Sequence, residues 1–479
     1  MNRRSFLQHS AAIAGAVCLD LPAFAEKVAT LGQARLKIGI ISDVHLTTPD
    51  SNDYLRKAFE YFRDKGVDGV LIAGDIADWG VERQIKMLAD TWYGVFPKDK
   101  APDGRHVEKL FVYGNHDIEG QNYKSVKKFL TDEMVKNEII APRRAEIWKK
   151  HLKEKWMPIY IKDVKGYKFI GAHWANWDGI PGLEAFFAQH QAEFPTAKPF
   201  FYFQHMHPQG TCSAPWTWGQ DDGTTTKLFS QYPNLVTFSG HSHTTLTDDR
   251  TLWQGAFTSI GTASLKYIIP FGGRENTVVF GSKEKVPSQM AQLKYLDDGK
   301  HGQVMTVYDD CITLEKHEFV NDQPLADNWV IPLPLTGSAP MSFAAREKEA
   351  KTPQFAAGDK VTVTRADGKD RYGKEQKQIT VHFPTVLKKK TGVRAFDYEI
   401  QAEIMDVDTT KIVCTKRVFS QGFHLGEAQD EKEAVCVFGE ADLPANRKVR
   451  FHVRPCECFG HQGEAISTDW LEPIITKKA

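Results

Sequence analysis

Three short apolar runs, at residues 37–41, 67–73 and 110–113, each stop abruptly on polar residues: "SDVHL", "GDIAD" and "GNHD". Helical spacing fills both gaps between them. In residues 53–65 the apolar positions Leu55, Ala58, Phe59 and Phe62 share one helical face, and residues 81–95 repeat the pattern. Strand, helix, strand, helix, strand predicts an α/β domain with parallel pairing. In open α/β sheets the ligand site lies off the carboxyl ends of the strands. All three polar clusters fall there, which is more informative than any one of them.

The pattern continues downstream. Residues 121–155 are helical and highly charged, with Pro142 as a break, and read as a surface insertion that could act as a partial lid. Residues 157–173 predict two strands around Lys165-Gly166, and 182–193 a helix. Strands at 200–204 and 235–239 end in "HMHP" and "GHSH". Strands near 256–260, 277–280, 304–308 and 312–317 predict an antiparallel finish. The stretch 321–355 carries Pro324, Pro332, Pro334, Pro340 and Pro353 and reads as a linker. Beyond it the texture changes to short alternating segments at 360–365, 396–404 and 449–453, which predict a β-sandwich over 356–479. A chain of 479 residues is long enough for two such domains.

Lys+Arg and Asp+Glu are both 61, so no global charge draws the chain to a nucleic-acid polymer or a membrane surface. The first 25 residues read as a signal peptide: Arg3-Arg4, a weak apolar run at 11–19, then Ala23-Phe24-Ala25. Arg3-Arg4-Ser5-Phe6-Leu7-Gln8 resembles the twin-arginine export motif. The run is too short to span a bilayer. An exported mature chain, periplasmic or extracytoplasmic, is expected, without stable membrane insertion. That setting permits a disulfide among Cys414, Cys436, Cys456 and Cys458, with no pairing readable.

Collected in order, the strand-end clusters are Asp43-x-His45, Gly74-Asp75, Gly114-Asn115-His116-Asp117, His205 and Gly240-His241-x-His243. They offer hard oxygen and borderline nitrogen donors and no thiolate, which suits Mn, Fe or Zn as divalent or trivalent ions. Asp43, His45, Asp75, Asn115, His205, His241 and His243 are too many ligands for one ion. Two ions sharing a carboxylate would use them all.

The series D-x-H, G-D, G-N-H-D, H, G-H-x-H resembles the calcineurin-like metallophosphoesterase superfamily over residues 36–319. The resemblance implies a four-layer α-β-β-α catalytic domain at about 36–320. It implies a first metal on Asp43, His45, Asp75 and His243. A second would sit on Asp75, Asn115, His205 and His241, with Asp75 bridging. His116 would face the leaving group and Asp117 would orient it. The implied reaction is hydrolysis of a phosphate ester by a hydroxide shared between the metals. For an exported chain the expected substrate is a small extracytoplasmic phosphoester. The alternative is a non-catalytic periplasmic or surface binding protein on the same scaffold, which would have no need of a general acid such as His116. The ending "VRPCECFGHQGEAIST" resembles sandwich modules attached to exported bacterial phosphoesterases, and a buttress is expected rather than a glycan-binding module.

Blander expectations attach to neighbouring residues. Asp78 reads as a cap for the helix beginning near Val81. His207 is the rival of His205, and His173 reads as a core histidine. Trp216 and Trp218 are expected to pack a loop against its own domain, the alternative being that they stack on a base or sugar ring of the substrate. H-E-x-x-H, G-x-S-x-G and P-loop signatures are absent from the sequence.

Overall fold

The computed structural model describes residues 32–212, 222–269, 299–370, 372–407, 409–440 and 442–473. The proposed signal peptide, Trp216, Trp218 and the strand expected near 277–280 lie outside the described residues.

The first apolar runs become β1 (Leu36–Ile41), β2 (Gly69–Ala73) and β3 (Glu108–Val112), paired in parallel in that order. Between them run α1 (Asp53–Lys65) and α2 (Glu82–Val95). Gly66 ends α1 in left-handed backbone at φ 69°, a conformation glycine takes without a Cβ penalty. β10 (His301–Val307) pairs antiparallel with β1, and β11 (Cys311–Glu318) with β10. A second sheet has the order β4-β5-β6-β7-β9-β8, from Ile159–Val164, Tyr167–Ala172, Phe200–Phe203, Leu235–Ser239, Thr258–Gly261 and Leu252–Gln254.

The two sheets face each other. Ile38, Ile40, Leu71 and Val112 from the first meet Phe169, Phe201, Val236 and Phe238 from the second in one apolar core. The outer face of the first sheet packs on α1, α2 and α5 (Ile140–Leu152), with Phe59, Phe62, Trp92 and Trp148 buried there. The outer face of the second carries α6 (Leu183–His190) and α7 (Thr224–Phe229) through Phe187, Leu228 and Phe229. This is the four-layer α-β-β-α arrangement.

Three expectations are corrected. Residues 121–155 are not a surface insertion: α5 buries Ile140, Ile147, Trp148 and Leu152, and only its charged face is outside. Pro142 does not break a helix. It lies in the first turn of α5, where its missing N–H would have had no intrahelical partner. The finish is not wholly antiparallel, because β9 pairs in parallel with β7 after the chain crosses over through β8.

Residues 321–355 are more than a spacer. β12 (Gln323–Pro324) and β13 (Trp329–Pro332) both pair with β11, so this segment extends the first sheet. β14 (Thr362–Lys369), β15 (Glu375–Pro384) and β18 (Glu433–Gly439) then form one antiparallel sheet. β17 (Thr409–Phe419), β16 (Asp397–Asp406), β19 (Val449–Cys456) and β20 (Ile466–Ser467) form another. Ile379, Val381 and Phe438 meet Tyr398, Ile400, Phe451 and Val453 between them, as alternating strands with one apolar face require.

This β-rich region seals onto the first domain. Phe396, Phe419, Phe423, Leu425 and Phe459 join the core between the two facing sheets of the first domain. Arg250, fully buried, is held by both oxygens of Asp248 and lies 5.1 Å over the Phe396 ring. The segment so gripped follows β7 and the "GHSH" cluster. Among the described residues no disulfide forms.

Candidate metal centre

Each polar cluster sits just past the carboxyl end of a strand: Asp43 and His45 after β1, Asp75 after β2, Asn115 after β3, His205 after β6, His241 and His243 after β7. The backbone there is unusual. Asp43, His45, Asp75, His241 and His243 are all left-handed, at φ 50°, 45°, 52°, 66° and 50°. For residues with a Cβ each such position costs on the order of 1–3 kcal/mol. The turns are held against that cost by backbone bonds: Asp43 N donates to Gly74 O (3.0 Å) and His45 N to Asp75 O (2.9 Å). A Cβ at Gly114 would overlap the Asp75 carboxylate, so only glycine lets the third strand end approach the second this closely.

The side chains converge. Asp75 Oδ2 lies 3.1 Å from His205 Nε2 and 3.6 Å from His45 Nε2. His243 Nε2 is 3.0 Å from Asp43 Oδ1 and 3.4 Å from His45 Nε2. His241 Nδ1 is 3.2 Å from His205 Nε2. Two buried groups result, Asp43–His45–His243 and Asp75–His205–His241, with the donor atoms of each within 4.8 Å of one another; a third, partly buried set, His45–Asp78–His116, meets the same limit.

The donor set fits cations. Three of the imidazoles are anchored through Nδ1: His45 to Asp78 Oδ1 (2.8 Å), His205 to Ala73 O (2.8 Å) and His243 to Tyr267 O (2.9 Å). With a proton on Nδ1 donated outward, each ring presents the Nε2 lone pair inward. Asn115 Nδ2 donates to Tyr123 Oη at 2.8 Å, while Asn115 Oδ1 is buried with no hydrogen-bond partner among the described residues. A buried carbonyl left so costs about 1–3 kcal/mol unless something accepts its lone pairs. Charge points the same way. Burial opposes ionised Asp43, yet His243 and His205 pull its pKa down to about 2. Burial likewise opposes charged His205, yet Asp75 and Asp43 raise its pKa to about 9. The carboxylates draw positive charge onto the histidines, the role a metal ion would take.

Asp78 is not a helix cap. Val81 occupies the N-cap of α2, and the Asp78 carboxylate turns toward the site, between two imidazoles. It accepts from His45 Nδ1 and lies 3.3 Å from His116 Nδ1, which also approaches Asp78 O at 3.0 Å. Burial disfavours the His116 cation, but Asp75 and Asp78 outweigh it and raise the pKa to about 9. Asp117, expected to orient His116, does something else. Its carboxylate accepts from the backbone N–H of Ala77 (2.7 Å), Ile76 (3.2 Å) and Gly114 (2.7 Å). It ties the β2 turn to the start of α3 (Asn115–Glu119) and leaves the imidazole to Asp78.

His205, not His207, joins the cluster. His207 lies outside both groups, with Nε2 3.0 Å from Ser242 Oγ. His173 is a core histidine: Tyr113 N donates to its Nδ1, and burial takes its pKa down to about 3. Sequence reasoning missed Asp78, Tyr123, Tyr267 and the pair Trp177–Glu119. Trp177, 39 % exposed, donates Nε1–H to Glu119 Oε2 (2.8 Å), and its ring lies 6.0 Å from that of His241. Asp78 alone left a trace in the sequence, three residues after Asp75 in "GDIAD".

A family model for calcineurin-like phosphoesterases matches residues 36–245. No curated protein matches the chain. Solved structures similar to it include a dimetal phosphatase from Danio rerio, at 12% identity, covering 63% of this chain and 100% of that one, TM-score 0.37. Another is GAP50, the anchor in the inner membrane complex of Plasmodium, at 10% identity, covering 63% and 90%, TM-score 0.38. A third is a predicted phosphoesterase from Streptococcus pneumoniae, at 10% identity, covering 62% and 98%, TM-score 0.27. Strand-end clusters, convergent donors and family match agree: the chain carries a calcineurin-like phosphoesterase domain at residues 36–245, followed by an all-β C-terminal region.

Proposed function

We propose that the rim is a two-metal centre hydrolysing small phosphate esters outside the cytoplasm. The observation that carries this is the position of Asp75 Oδ2, within reach of His45 Nε2 on one side and His205 Nε2 on the other. Asp43, His45 and His243 would hold one ion; Asn115, His205 and His241 would hold the other; Asp75 would serve both. Mn, Fe or Zn suit these donors. When bound, such ions supply positive charge against phosphoryl oxygens and make water acidic enough to ionise near neutral pH.

The chain's own residues do the rest. His116, with Nδ1 engaged by Asp78, has Nε2 left for the substrate. Protonated, it donates to the departing ester oxygen. Asp78 holds that ring in place and favours its charged form. Asp117 fixes the backbone from which both Asp75 and His116 project. Export through a twin-arginine signal is supported by Arg3-Arg4 and Ala23-Phe24-Ala25, and among the described residues no helix is long and apolar enough to cross a membrane.

The test is hydrolysis of 4-nitrophenyl phosphate and bis(4-nitrophenyl) phosphate by metal-stripped protein reloaded with Mn, Zn or Fe. Metal-dependent turnover supports the reading, with His116→Ala weakening hydrolysis of an alkyl phosphate far more than that of the nitrophenyl esters, and the preferred nitrophenyl ester separates monoesterase from diesterase. Absence of turnover with every metal, at full metal loading, would instead favour a binding protein.

A further inference from the structure

Beside His116 lies a broad, shallow surface cleft, open to solvent, of about 720 Å³ lined by His116, Tyr123, Lys124, Ser125 and Lys128. His116 marks which part of a substrate enters it. In the hydrolysis, water's oxygen bonds to phosphorus, the ester P–O bond breaks, and the leaving oxygen takes a proton from His116 Nε2. The group attached to that oxygen must therefore lie on the His116 side, against this cleft.

The cleft wall is fixed rather than loose. Val126 is buried in a small cluster with Trp79, Val81 and Met134, the last on α4 (Asp132–Asn137). Phe129 stacks on Trp79 at 5.3 Å with 7° between the planes. Lys128 Nζ lies 4.8 Å from the Phe129 ring centroid, and the Tyr123 ring lies 4.7 Å from that of His116. Lys124 and Lys128 are exposed and form no ion pair among the described residues. Asp78 and Asp75, the acidic groups nearest His116, are occupied by histidines and backbone.

We propose that Lys124 and Lys128 select the leaving group, and that the preferred substrates are phosphate esters whose alcohol portion carries a further anionic group, a carboxylate or a second phosphate. The inference rests on the phosphoesterase reading above. A neutral alcohol would leave both ammonium groups unmatched; an anionic one would pair with them at the moment it departs. Ser125 and the Tyr123 ring complete the wall.

A matched chromogenic pair tests this: 4-nitrophenyl phosphate, whose leaving phenol is otherwise uncharged, and 3-carboxy-4-nitrophenyl phosphate, whose leaving phenol carries a carboxylate. The metal-loaded full chain should prefer the carboxylated ester in kcat/KM by roughly fivefold to tenfold, the scale of two exposed ion pairs. The preference should reside in KM and shrink as ionic strength rises. Lys124→Ala with Lys128→Ala should collapse it, and the double Lys→Arg variant should keep it. Calorimetry with 5-hydroxy-2-nitrobenzoate, the carboxylated leaving group alone, reads binding without turnover: wild type should bind it more tightly than the double alanine variant. Equal kcat/KM for the two esters, unmoved by the substitutions, overturns the leaving-group assignment while the phosphoesterase reading stands. Hydrolysis of neither ester nor of bis(4-nitrophenyl) phosphate overturns the phosphoesterase reading and takes this inference with it.

Discussion

The catalytic rim and the C-terminal sandwich are both made where β-strands meet, yet they treat polarity and backbone strain in opposite ways. In the sandwich, Ile379, Val381, Ile400, Phe451 and Val453 bury apolar side chains against one another. Its left-handed non-glycine residues, Val407 and Asn446, lie outside the strands. At the rim, Asp43, His45, Asp75, His241 and His243 are buried, ionisable and left-handed together. Burial of charge and strained backbone both oppose folding. A chain that concentrates them in one place is using that place for chemistry, and the apolar cores on either side supply the stability that holds it.

The comparison breaks most sharply at Asp75. Asp75→Ala should cut kcat/KM by about 10³–10⁴-fold, since it removes the carboxylate proposed to serve both ions, and metal analysis should show fewer ions per chain. His116→Ala should cost about 10²–10⁴-fold on an ester with a poor leaving group and much less on a nitrophenyl ester, whose oxygen departs without a proton. Metal content should not change. Phe451→Ala in the sandwich should destabilise the protein by about 3–5 kcal/mol, lowering Tm while kcat of the folded fraction holds. A comparable loss of kcat there would erase the distinction between the regions. Asp78→Asn should lower turnover by roughly 10–100-fold, as loss of a partner that orients a functional imidazole does; Asp117→Asn should instead lower Tm.

The smallest effect is in pH. Burial disfavours the His205 cation, but Asp75 and Asp43 keep its pKa near 9 in the metal-free protein. Nε2 must lose any proton to ligate, so below that pH metal binding releases a proton and apparent affinity rises with pH. Above it the dependence on His205 ends. Metal titrations at two pH values in weakly buffered solution, reading proton release, check the sign.

What the sequence made legible followed from period and position. The apolar runs before Asp43, Asp75 and Asn115 are uninterrupted because parallel strands are buried on both faces, so strands and strand ends could be placed together. The donor set came with them. What stayed hidden depends on three-dimensional direction. Asp78 precedes a helix and looks like a cap, and only the turn after β2 shows that its carboxylate points at His45 and His116. Asp117 sits beside His116 in sequence but faces the backbone of residues 76, 77 and 114. The charged pattern of residues 121–155 obscured the buried stripe of α5, because Lys149, Lys150 and Arg143 dominate the composition while Ile147 and Trp148 dominate the packing.

The central claim is that two cations, held by residues from five strand ends, make the rim a catalyst. Its most direct test is turnover of a phosphate ester by the metal-stripped full chain as Mn or Zn is added in known equivalents. The account predicts that activity rises only with metal and reaches its plateau at two ions per chain, with Asn115→Ala shifting the second equivalent to higher concentration. A plateau at one ion, or two bound ions with no turnover, would contradict it.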